Sequence, residues 1–416
     1  MLPREGAAMV TTVEATPVRH DRGDVANLLR IAGPNDVEAM LALARLGGTG
    51  LTNLPANRKA LLKRLEASAA ASSDVTAREN GAGIIFVVEG DGGAILATSA
   101  VFPRVGVEWP FYSYRMVRQT RDSRAAARRT EQTLLMLTND FDGEAEVGAL
   151  FVAPSARHLA LGSLAARSRY LFIAQHRSWF GERVIAELRG WQDHTGRSPV
   201  WDSVGRHFYG MTLAEADRFG SVRGNQFIAD LGPRHPIYTS LLPEAARMAL
   251  GRPHDDGQPA YAMLLREGFV DQGYVDIFDG GPTPVASIDR LETVRGSRLA
   301  TLTEPSDDLL PSALVAAGQG PSFRVLRTGA MLIGAEVAIS RLAAHRLGLE
   351  PGDVARVLPL ATERLALACR SLSRRDRRFA RFEQELQRRG WSRRLAPSRW
   401  PASNRALPIL SITSFG

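Results

Sequence analysis

The chain has 416 residues, 44% of them hydrophobic, which suffices for the cores of two or three domains and excludes an overall disordered polymer. The single cysteine, Cys369, excludes an intramolecular disulfide framework or a site built from several thiolates, which fits a reducing cytosol. The net charge of +8 resides in residues 361–416, which hold 13 Arg against four acidic residues, so the nearly neutral remainder does not indicate a body that tracks nucleic acid.

The amino end mixes Pro, Gly and charged residues without a period and is predicted to be a flexible leader over residues 1–23. It has no apolar segment of signal-peptide length, and no run in the chain reaches the roughly 18 apolar residues that a membrane span needs. We therefore expect a soluble cytoplasmic protein with no membrane partner.

Two amphipathic helices and a hairpin are predicted next. Asn35 and Asp36 can cap a helix that ends in the glycine-rich turn at 47–50, and a second helix is predicted over 58–71. The apolar runs 84–88 and 94–101 flank a glycine-rich turn and predict a β-hairpin.

A strand, a loop and a helix then follow in succession. The apolar run 146–152 predicts a strand closed by Pro154, and a helical face follows over 155–169. Backbone N–H groups in such a loop and the positive end of the helix dipole can converge on a pyrophosphate, and the alternative is an ordinary strand-to-helix turn. The loop resembles the Q/R-x-x-G-x-G/A signature of N-acetyltransferase-like folds, with Ala in place of the first Gly. The candidate coenzyme A contacts in it are Arg157, His158, Ala160 and Gly162.

The remainder predicts a second, smaller domain. A helix ending in Gly268 re-enters a strand, and the turn-forming sequence 276–282 indicates a boundary near residue 285. Short apolar runs beyond it predict a small, mostly β domain over 286–362, and the Arg-rich tail 363–416 is predicted to be partly helical or disordered. That tail could bind nucleic acid or an acidic partner, but a solvated appendage is the favoured interpretation.

Several blocks, in this order, resemble the arginine N-succinyltransferase family over roughly residues 24–360. The blocks read GTGLTNLP at 48–55, FYSYR at 111–115, LTND at 137–140, ALFVAP at 149–154, AELRG at 186–190, SPVW at 198–201, PRHPIY at 233–238 and DIFDGGPT at 276–283. The resemblance implies an α/β fold with a GNAT-like acyl-CoA N-acyltransferase domain over 24–285. A small β-barrel domain over 286–362 and the basic tail follow it.

The resemblance also implies a reaction. It is the transfer of succinyl from succinyl-CoA, as co-substrate, to the α-amino group of L-arginine, with no tightly bound cofactor and with subunits that work as homo- or hetero-oligomers. The family's catalytic proton donor falls on His254 in the segment 251–254, and its acyl-CoA contact falls on Leu150. Ala160 and Phe141 depart from the family pattern, so they put phosphate binding and substrate detail in question.

Recognition of the two substrates needs charged partners. Arg115 is predicted to bind the succinyl carboxylate, and Asp140 the guanidinium of arginine, with an internal ion pair as the alternative for each residue. Another basic acceptor such as ornithine, and a catalytically silent partner subunit, are the rival functions. No metal site is predicted, because no pair of histidines has ligand spacing beside carboxylates or thiols. A structural turn is at least as good an interpretation of His235.

Overall fold

A computed structural model of the protein describes residues 27–47, 54–306 and 312–360. The predicted leader, most of the block at 48–55, Cys369 and the Arg-rich tail lie outside these described residues. In the part of the chain that is described, no helix combines the length and the apolar character that crossing a membrane requires.

The strands in chain order belong to two sheets. They are β1 (Leu28–Ile31), β2 (Ile84–Glu89), β3 (Ile95–Phe102), β4 (Ser113–Ser123), β5 (Arg128–Thr138), β6 (Ala145–Val152), β7 (Arg183–Ile185), β8 (Ile237–Tyr238), β9 (Tyr274–Asp276), β10 (Val285–Ser287), β11 (Arg298–Leu302), β12 (Ser312–Ala317), β13 (Arg324–Ile333), β14 (Glu336–Ile339) and β15 (Val354–Pro359).

The helices lie mostly between strands. They are α1 (Val37–Gly47), α2 (Arg58–Ala71), α3 (Val75–Glu79), α4 (Leu161–Gln175), α5 (Pro199–Ser203), α6 (Gly205–Tyr209), α7 (Leu213–Arg223), α8 (Gln226–Leu231), α9 (Glu244–Ala249), α10 (Gln258–Glu267), α11 (Glu292–Gly296) and α12 (Arg341–Leu347).

The larger sheet has the order β10-β7-β6-β3-β2-β1 and continues through β13 into a barrel. The predicted hairpin is present, since β2 and β3 pair antiparallel, and α2 begins and ends at the predicted residues. Alternate residues of β2 point to opposite faces of the sheet. Phe86 packs into the core beneath α4, whereas Ile85 and Val87 pack into the core formed with α1 and α2. The sheet is therefore covered on both faces.

The predicted small barrel is confirmed. Strand β13 pairs with β12 and with β14, β14 pairs with β11, and β15 joins β11 to β12, so the five strands form a closed ring. Its interior holds aliphatic side chains such as Val315, Val337 and Val357. The expectation of a mixed α/β fold carrying a small barrel thus agrees with the structure.

The domain boundary near residue 285 stays a prediction, and strand pairing favours a later division. Strand β10 pairs antiparallel with β7 in the first sheet, with Val285 opposite Ile185. Helix α11 packs on α4, and the first barrel strand begins only at Arg298. The polypeptide between α11 and β11 is the better place for the division.

A second sheet, of order β8-β5-β4-β9, stands beside the first. Its long β4–β5 hairpin presents Arg115 and Met136 as an opposed pair. Buried Tyr114 and Leu135 pack against Trp201 on the covered face of this sheet. The sheet therefore has a core of its own, which carries the segment around Arg115 and Asp140.

Candidate active site

A cleft opens in the first sheet where β6 and β7 separate. The two strands pair in parallel at Ala145–Val184 and Glu146–Ile185, after which β6 continues to Val152 without further pairing to β7. A cavity of about 870 Å³ opens between the separated segments. Its lining residues in the described chain come from the end of α1, β6, α4, the segment after β7, and the turn that leads into α10.

Strand β6 carries a bulge at the mouth of this cavity. Thr98 is opposite Phe151 and Ala100 is opposite Gly148, so β6 has one more residue than β3 between these two pairs. Ala149 has φ of 50°, a left-handed conformation that costs an L-residue free energy. A bulge takes a residue out of the strand ladder and re-aims its groups. Leu150, the predicted acyl-CoA contact, follows directly and lines the cavity.

The predicted phosphate loop joins β6 to α4, but the helix begins later than predicted. Residues 154–159 form a 3-10 turn, and α4 starts at Leu161 rather than at 155. Ala160 causes the delay, because its φ of 55° interrupts the helical path. Ala160 thus adopts the positive φ that the sequence pattern would give to glycine. Arg157 and Gly162 line the cavity, whereas His158 and Ala160 are exposed and are not among its lining residues.

His254 lies on the opposite wall. Its backbone N–H donates to the carbonyl of Arg189 at 2.8 Å, and a β-bridge joins Gly190 to Pro253 beside it. The Nδ1 atom accepts the backbone N–H of Asp256 at 3.2 Å. Because Nδ1 acts as an acceptor, the neutral imidazole carries its proton on Nε2. The side chain is 22% exposed and borders the cavity, so this proton is available to a bound molecule.

Arginine side chains outnumber carboxylates around the cavity. The basic lining residues are Arg157, Arg167, Arg169, Arg189 and Arg266. The acidic lining residues are Glu187, Asp256 and Glu267. Glu267 is occupied by Thr293, whose backbone N–H and hydroxyl both donate to it. The balance favours an anionic ligand.

A group of desolvated carboxylates lies behind the wall formed after β7. Burial raises the pKa of Glu187 well above its usual value, and the charge of Asp276 adds to the effect. Burial also raises the pKa of Asp276, followed by repulsion from Asp279. Of these three residues, Glu187 lines the cavity, so it is the one that can exchange a proton with a ligand.

Arg115 and Asp140 lie on the second sheet and pair with each other. Their Nη1 and Oδ2 atoms are 3.7 Å apart, and Asp140 also accepts hydrogen bonds from the hydroxyls of Thr138 and Tyr274. The Thr138 bond is the largest influence that lowers the pKa of Asp140. Neither residue is among the described residues that line the cavity. The internal ion pair is thus the arrangement present, and their substrate-binding roles stay predictions.

Phe141 belongs to the packing of the same region. It is fully buried and its ring lies 4.5 Å, centroid to centroid, from that of Tyr274, the residue that holds Asp140. It does not border the cavity in the described chain. The departure from the family pattern at this position therefore acts on the core beneath Asp140.

The sequence patterns do not mark Arg169 and Glu187 as site residues. Glu187 stands in the block AELRG, which resembles the family but implies no role for any of its members. Arg169 ends the predicted helical face over 155–169, where a charged residue looks like an ordinary surface position. His235 is exposed, and among the described residues no group of three or more possible metal ligands occurs.

A cleft between parting strands, with a loop at a helix N-terminus and an excess of arginine, is typical of an enzyme that binds a phosphate-bearing acyl carrier. The family model of the arginine N-succinyltransferase beta subunit matches residues 27–293, and the model of its C-terminal domain matches residues 298–359. The chain therefore belongs to the arginine N-succinyltransferase beta subunit family.

Individual relatives are similar over nearly their whole length. The arginine N-succinyltransferase subunit beta of Pseudomonas aeruginosa is 38% identical over 331 residues, which cover 79% of this chain and 97% of the relative. The arginine N-succinyltransferase of Enterobacter sp. (strain 638) is 36% identical over 351 residues, 82% of this chain and 97% of the relative. The solved structure of arginine/ornithine succinyltransferase subunit AI from P. aeruginosa is similar with a TM-score of 0.73 and 30% identity, covering 80% of this chain and 98% of that one.

Proposed function

We propose that the protein is an arginine N-succinyltransferase, which transfers the succinyl group of succinyl-CoA to the α-amino group of L-arginine. The observation that carries the proposal is the arginine-lined cleft with His254 on its wall. The relatives that bear this activity in their names are matched over nearly their full length, which supports the same reaction in this chain.

The carrier enters along β6 and α4. Its pyrophosphate binds at the start of α4, where Arg157 and the backbone near Gly162 face the cavity and the helix dipole favours negative charge. The thioester then lies at the bulge beside Leu150, where backbone N–H groups released from the ladder can donate to the developing oxyanion.

The chemistry is a direct displacement at the thioester carbon. The neutral α-amine forms the C–N bond, and the C–S bond breaks as the tetrahedral intermediate collapses. The imidazolium form of His254, whose Nδ1 lies 3.8 Å from a carboxylate oxygen of Asp256, gives a proton to the leaving thiolate of coenzyme A and becomes neutral. The ionised carboxylate of Glu187 accepts the proton that the amine loses. Burial raises the pKa of Glu187, which makes its ionised form a stronger base and suits it to this role.

The acceptor in this reaction is a basic amino acid. The solved structure is named for arginine and ornithine, which favours ornithine as a second candidate acceptor. The two amino acids share the α-amino and α-carboxylate groups and differ in the terminal cation. If Asp140→Asn leaves the Michaelis constant for arginine unchanged, Asp140 serves the internal ion pair and does not bind the guanidinium.

The test is thiol release from succinyl-CoA by the purified protein with one amino acid at a time. We expect release with arginine, a weaker or equal rate with ornithine, and none with glutamate. Mass spectrometry of the product checks that the α-nitrogen is acylated. If no amino acid supports release although the protein binds succinyl-CoA by calorimetry, the chain is a silent partner subunit and the proposed reaction is wrong.

The cellular setting belongs to the same proposal. We place the enzyme in the cytoplasm, where succinyl-CoA is present, and infer an assembly of subunits because the P. aeruginosa relative is named as a subunit. Light scattering of the purified chain checks the assembly. A monomer with full activity would contradict the need for a partner.

A further inference from the structure

A buried guanidinium borders the cavity away from the predicted phosphate loop. Arg169 is 3% exposed, and it lines the cavity from the middle of α4. Its Nε donates to the carbonyl of Ala166 at 3.2 Å and its Nη1 to the carbonyl of Gly148 at 3.4 Å. Within the described residues, its hydrogen-bond acceptors are neutral carbonyls and its aromatic contact is Tyr170.

Such an arrangement leaves a positive charge without a close counter-charge. Burial lowers the pKa of Arg169, and the opposing influences of Tyr170, Glu267 and Glu146 do not offset it. Removing a charged side chain from water costs free energy unless an opposite charge compensates. A guanidinium that borders a ligand cavity can obtain that compensation from the ligand.

The carbonyl that holds Arg169 places it next to the reacting centre. Gly148 directly precedes Ala149, where β6 bulges, and Leu150 follows. A thioester carbonyl bound at the bulge is thus close to the guanidinium. The free carboxylate of the four-carbon succinyl group is only a few bonds from that carbonyl.

The predicted phosphate loop lies at the other end of this stretch. Arg169 follows Leu161, the first residue of α4, by eight residues, which corresponds to roughly 12 Å along the helix axis. Phosphates bound at the start of α4 therefore lie about two helical turns from the Cα of Arg169. The acyl end of a molecule that follows α4 lies nearer to Arg169 than its phosphates do.

We infer that Arg169 binds the terminal carboxylate of the succinyl group and thereby selects a dicarboxylic acyl chain over an uncharged one. This inference rests on the proposed function. The phosphate loop leads into α4 and Arg169 lies in the middle of that helix, so one molecule that follows the helix meets the phosphate site first and Arg169 last. Arg115, the residue predicted from sequence for this role, is paired with Asp140 outside the cavity lining.

The α-carboxylate of the acceptor is the other carboxylate in the reaction. It belongs to a molecule that reaches the thioester beside Glu187 and His254, on the wall formed after β7, whereas Arg169 extends from α4. The two sources predict different kinetic effects. Loss of a succinyl contact changes the discrimination between acyl chains, whereas loss of an acceptor contact raises the Michaelis constant for arginine.

The experiment compares succinyl-CoA with butyryl-CoA, which has the same four carbons and no carboxylate. Transfer to arginine and to argininamide is measured for the wild type, Arg169→Gln and Arg169→Lys, with binding of both thioesters followed by calorimetry. Arg78→Gln is the matched control. Arg78 is also buried and donates to a carbonyl, that of Ala71, but it stacks on Trp179 outside the cavity lining.

We expect Arg169→Gln to lower kcat/KM for succinyl-CoA by on the order of 100-fold and to leave butyryl-CoA within a few-fold. The Lys variant should keep part of the preference, because it retains the charge without the planar fork. Arg78→Gln should lower the melting temperature and leave the ratio of the two thioesters unchanged.

Two outcomes would overturn the inference. If folded Arg169→Gln loses the same factor in kcat/KM with both thioesters, Arg169 maintains the shape of the cleft and does not bind the succinyl carboxylate. A raised Michaelis constant for arginine but not for argininamide, with the acyl preference intact, would assign it to the acceptor. Failure of the proposed function can be told apart from failure of this inference. If the wild type turns over neither thioester, calorimetry of the wild type and of Arg169→Gln still shows whether Arg169 favours binding of succinyl-CoA over butyryl-CoA.

Discussion

The backbone N–H of His254 donates to the carbonyl oxygen of Arg189 at 2.8 Å, which fixes the imidazole to the cleft wall formed after β7. The same wall carries Glu187, two residues before Arg189. The proposed proton donor and the proposed proton acceptor thus lie on two segments that this hydrogen bond and the bridge between Gly190 and Pro253 hold together.

Replacing His254 tests the proton-donor role. His254→Ala should lower kcat for thiol release by about 100- to 10,000-fold, because the thiolate loses its proton source while the carrier keeps its phosphate contacts. The KM for succinyl-CoA should change little. Stopped assays with free-thiol detection measure both constants. His235→Ala, an exposed position outside the cavity lining, is the control, and an equal loss in that variant would point to misfolding instead.

Glycine at position 160 should relieve backbone strain. Ala160 has φ of 55°, so Ala160→Gly is expected to raise the free energy of unfolding by up to about 1 kcal/mol. We also expect unchanged or tighter coenzyme A binding, because glycine gives a phosphate closer access. Chemical denaturation and calorimetry measure the two effects.

Ala127→Gly provides the matched control for that substitution. Ala127 has φ of 47° in the exposed turn between β4 and β5, far along the chain from the phosphate loop. It should gain similar stability without any effect on coenzyme A binding. If coenzyme A binding changes by the same amount in both variants, the change does not arise from the phosphate loop.

Removing a charge from the desolvated carboxylates should stabilise the fold. The native pKa of Asp276 is raised well above the unfolded value of about 3.9, so the native state holds more protons between those two values. Stability therefore falls as the pH rises from about 4 through the native pKa. Asp276→Asn should raise the free energy of unfolding by about 1–2 kcal/mol at neutral pH, with the gain vanishing near pH 4.

The asparagine retains an oxygen that can accept the 2.6 Å hydrogen bond from the N–H of Phe278. The exposed Asp91→Asn is the control, and its free energy of unfolding should differ from that of the wild type by the same amount at every pH. A destabilised Asp276→Asn at neutral pH would mean that the charge is compensated, contrary to this account. Urea unfolding at several pH values supplies the measurement.

Periodicity and turn chemistry suffice for the elements whose local signals agree with their environment. Helix α2 and the β2–β3 hairpin lie where the sequence indicates, because their apolar faces and caps are complete within a short segment. Helix α4 starts six residues late, because Ala160 adopts a left-handed conformation that no propensity predicts for alanine. Local patterns do not contain the tertiary forces that impose such a conformation.

The candidate site likewise contains residues that the sequence predicts and residues that it does not. The roles of His254 and Leu150 are predictions from the resemblance to the family, and both residues border the cavity. Arg169 could not be predicted in this way, since its burial results from the packing of α4 over the bulge in β6, which is a contact between distant segments. Arg115 and Asp140 have the charges that the substrates call for, but strand pairing puts them next to each other.

The imidazole of His176 should make stability depend on pH through the contact between α4 and the barrel. Its Nε2 accepts the backbone N–H of Gly320 at 3.0 Å, so the proton resides on Nδ1, which donates to the carbonyl of Phe172 at 3.0 Å. Burial lowers the pKa of His176 to about 4. Since the unfolded pKa is about 6.5, the unfolded state binds more protons between these values, and stability is lost as the pH falls through that window.

His176→Gln should therefore be less stable than the wild type at pH 7, by about 1–2 kcal/mol, because the neutral ring makes both hydrogen bonds. The gap should narrow steadily between pH 6.5 and pH 4, since only the wild type loses stability by protonating this group. Urea unfolding in parallel buffers measures the difference, with the exposed His345→Gln as control. A gap that stays constant over this range would mean that His176 binds the same number of protons in the native and unfolded states, and would contradict the role of Gly320 as its partner.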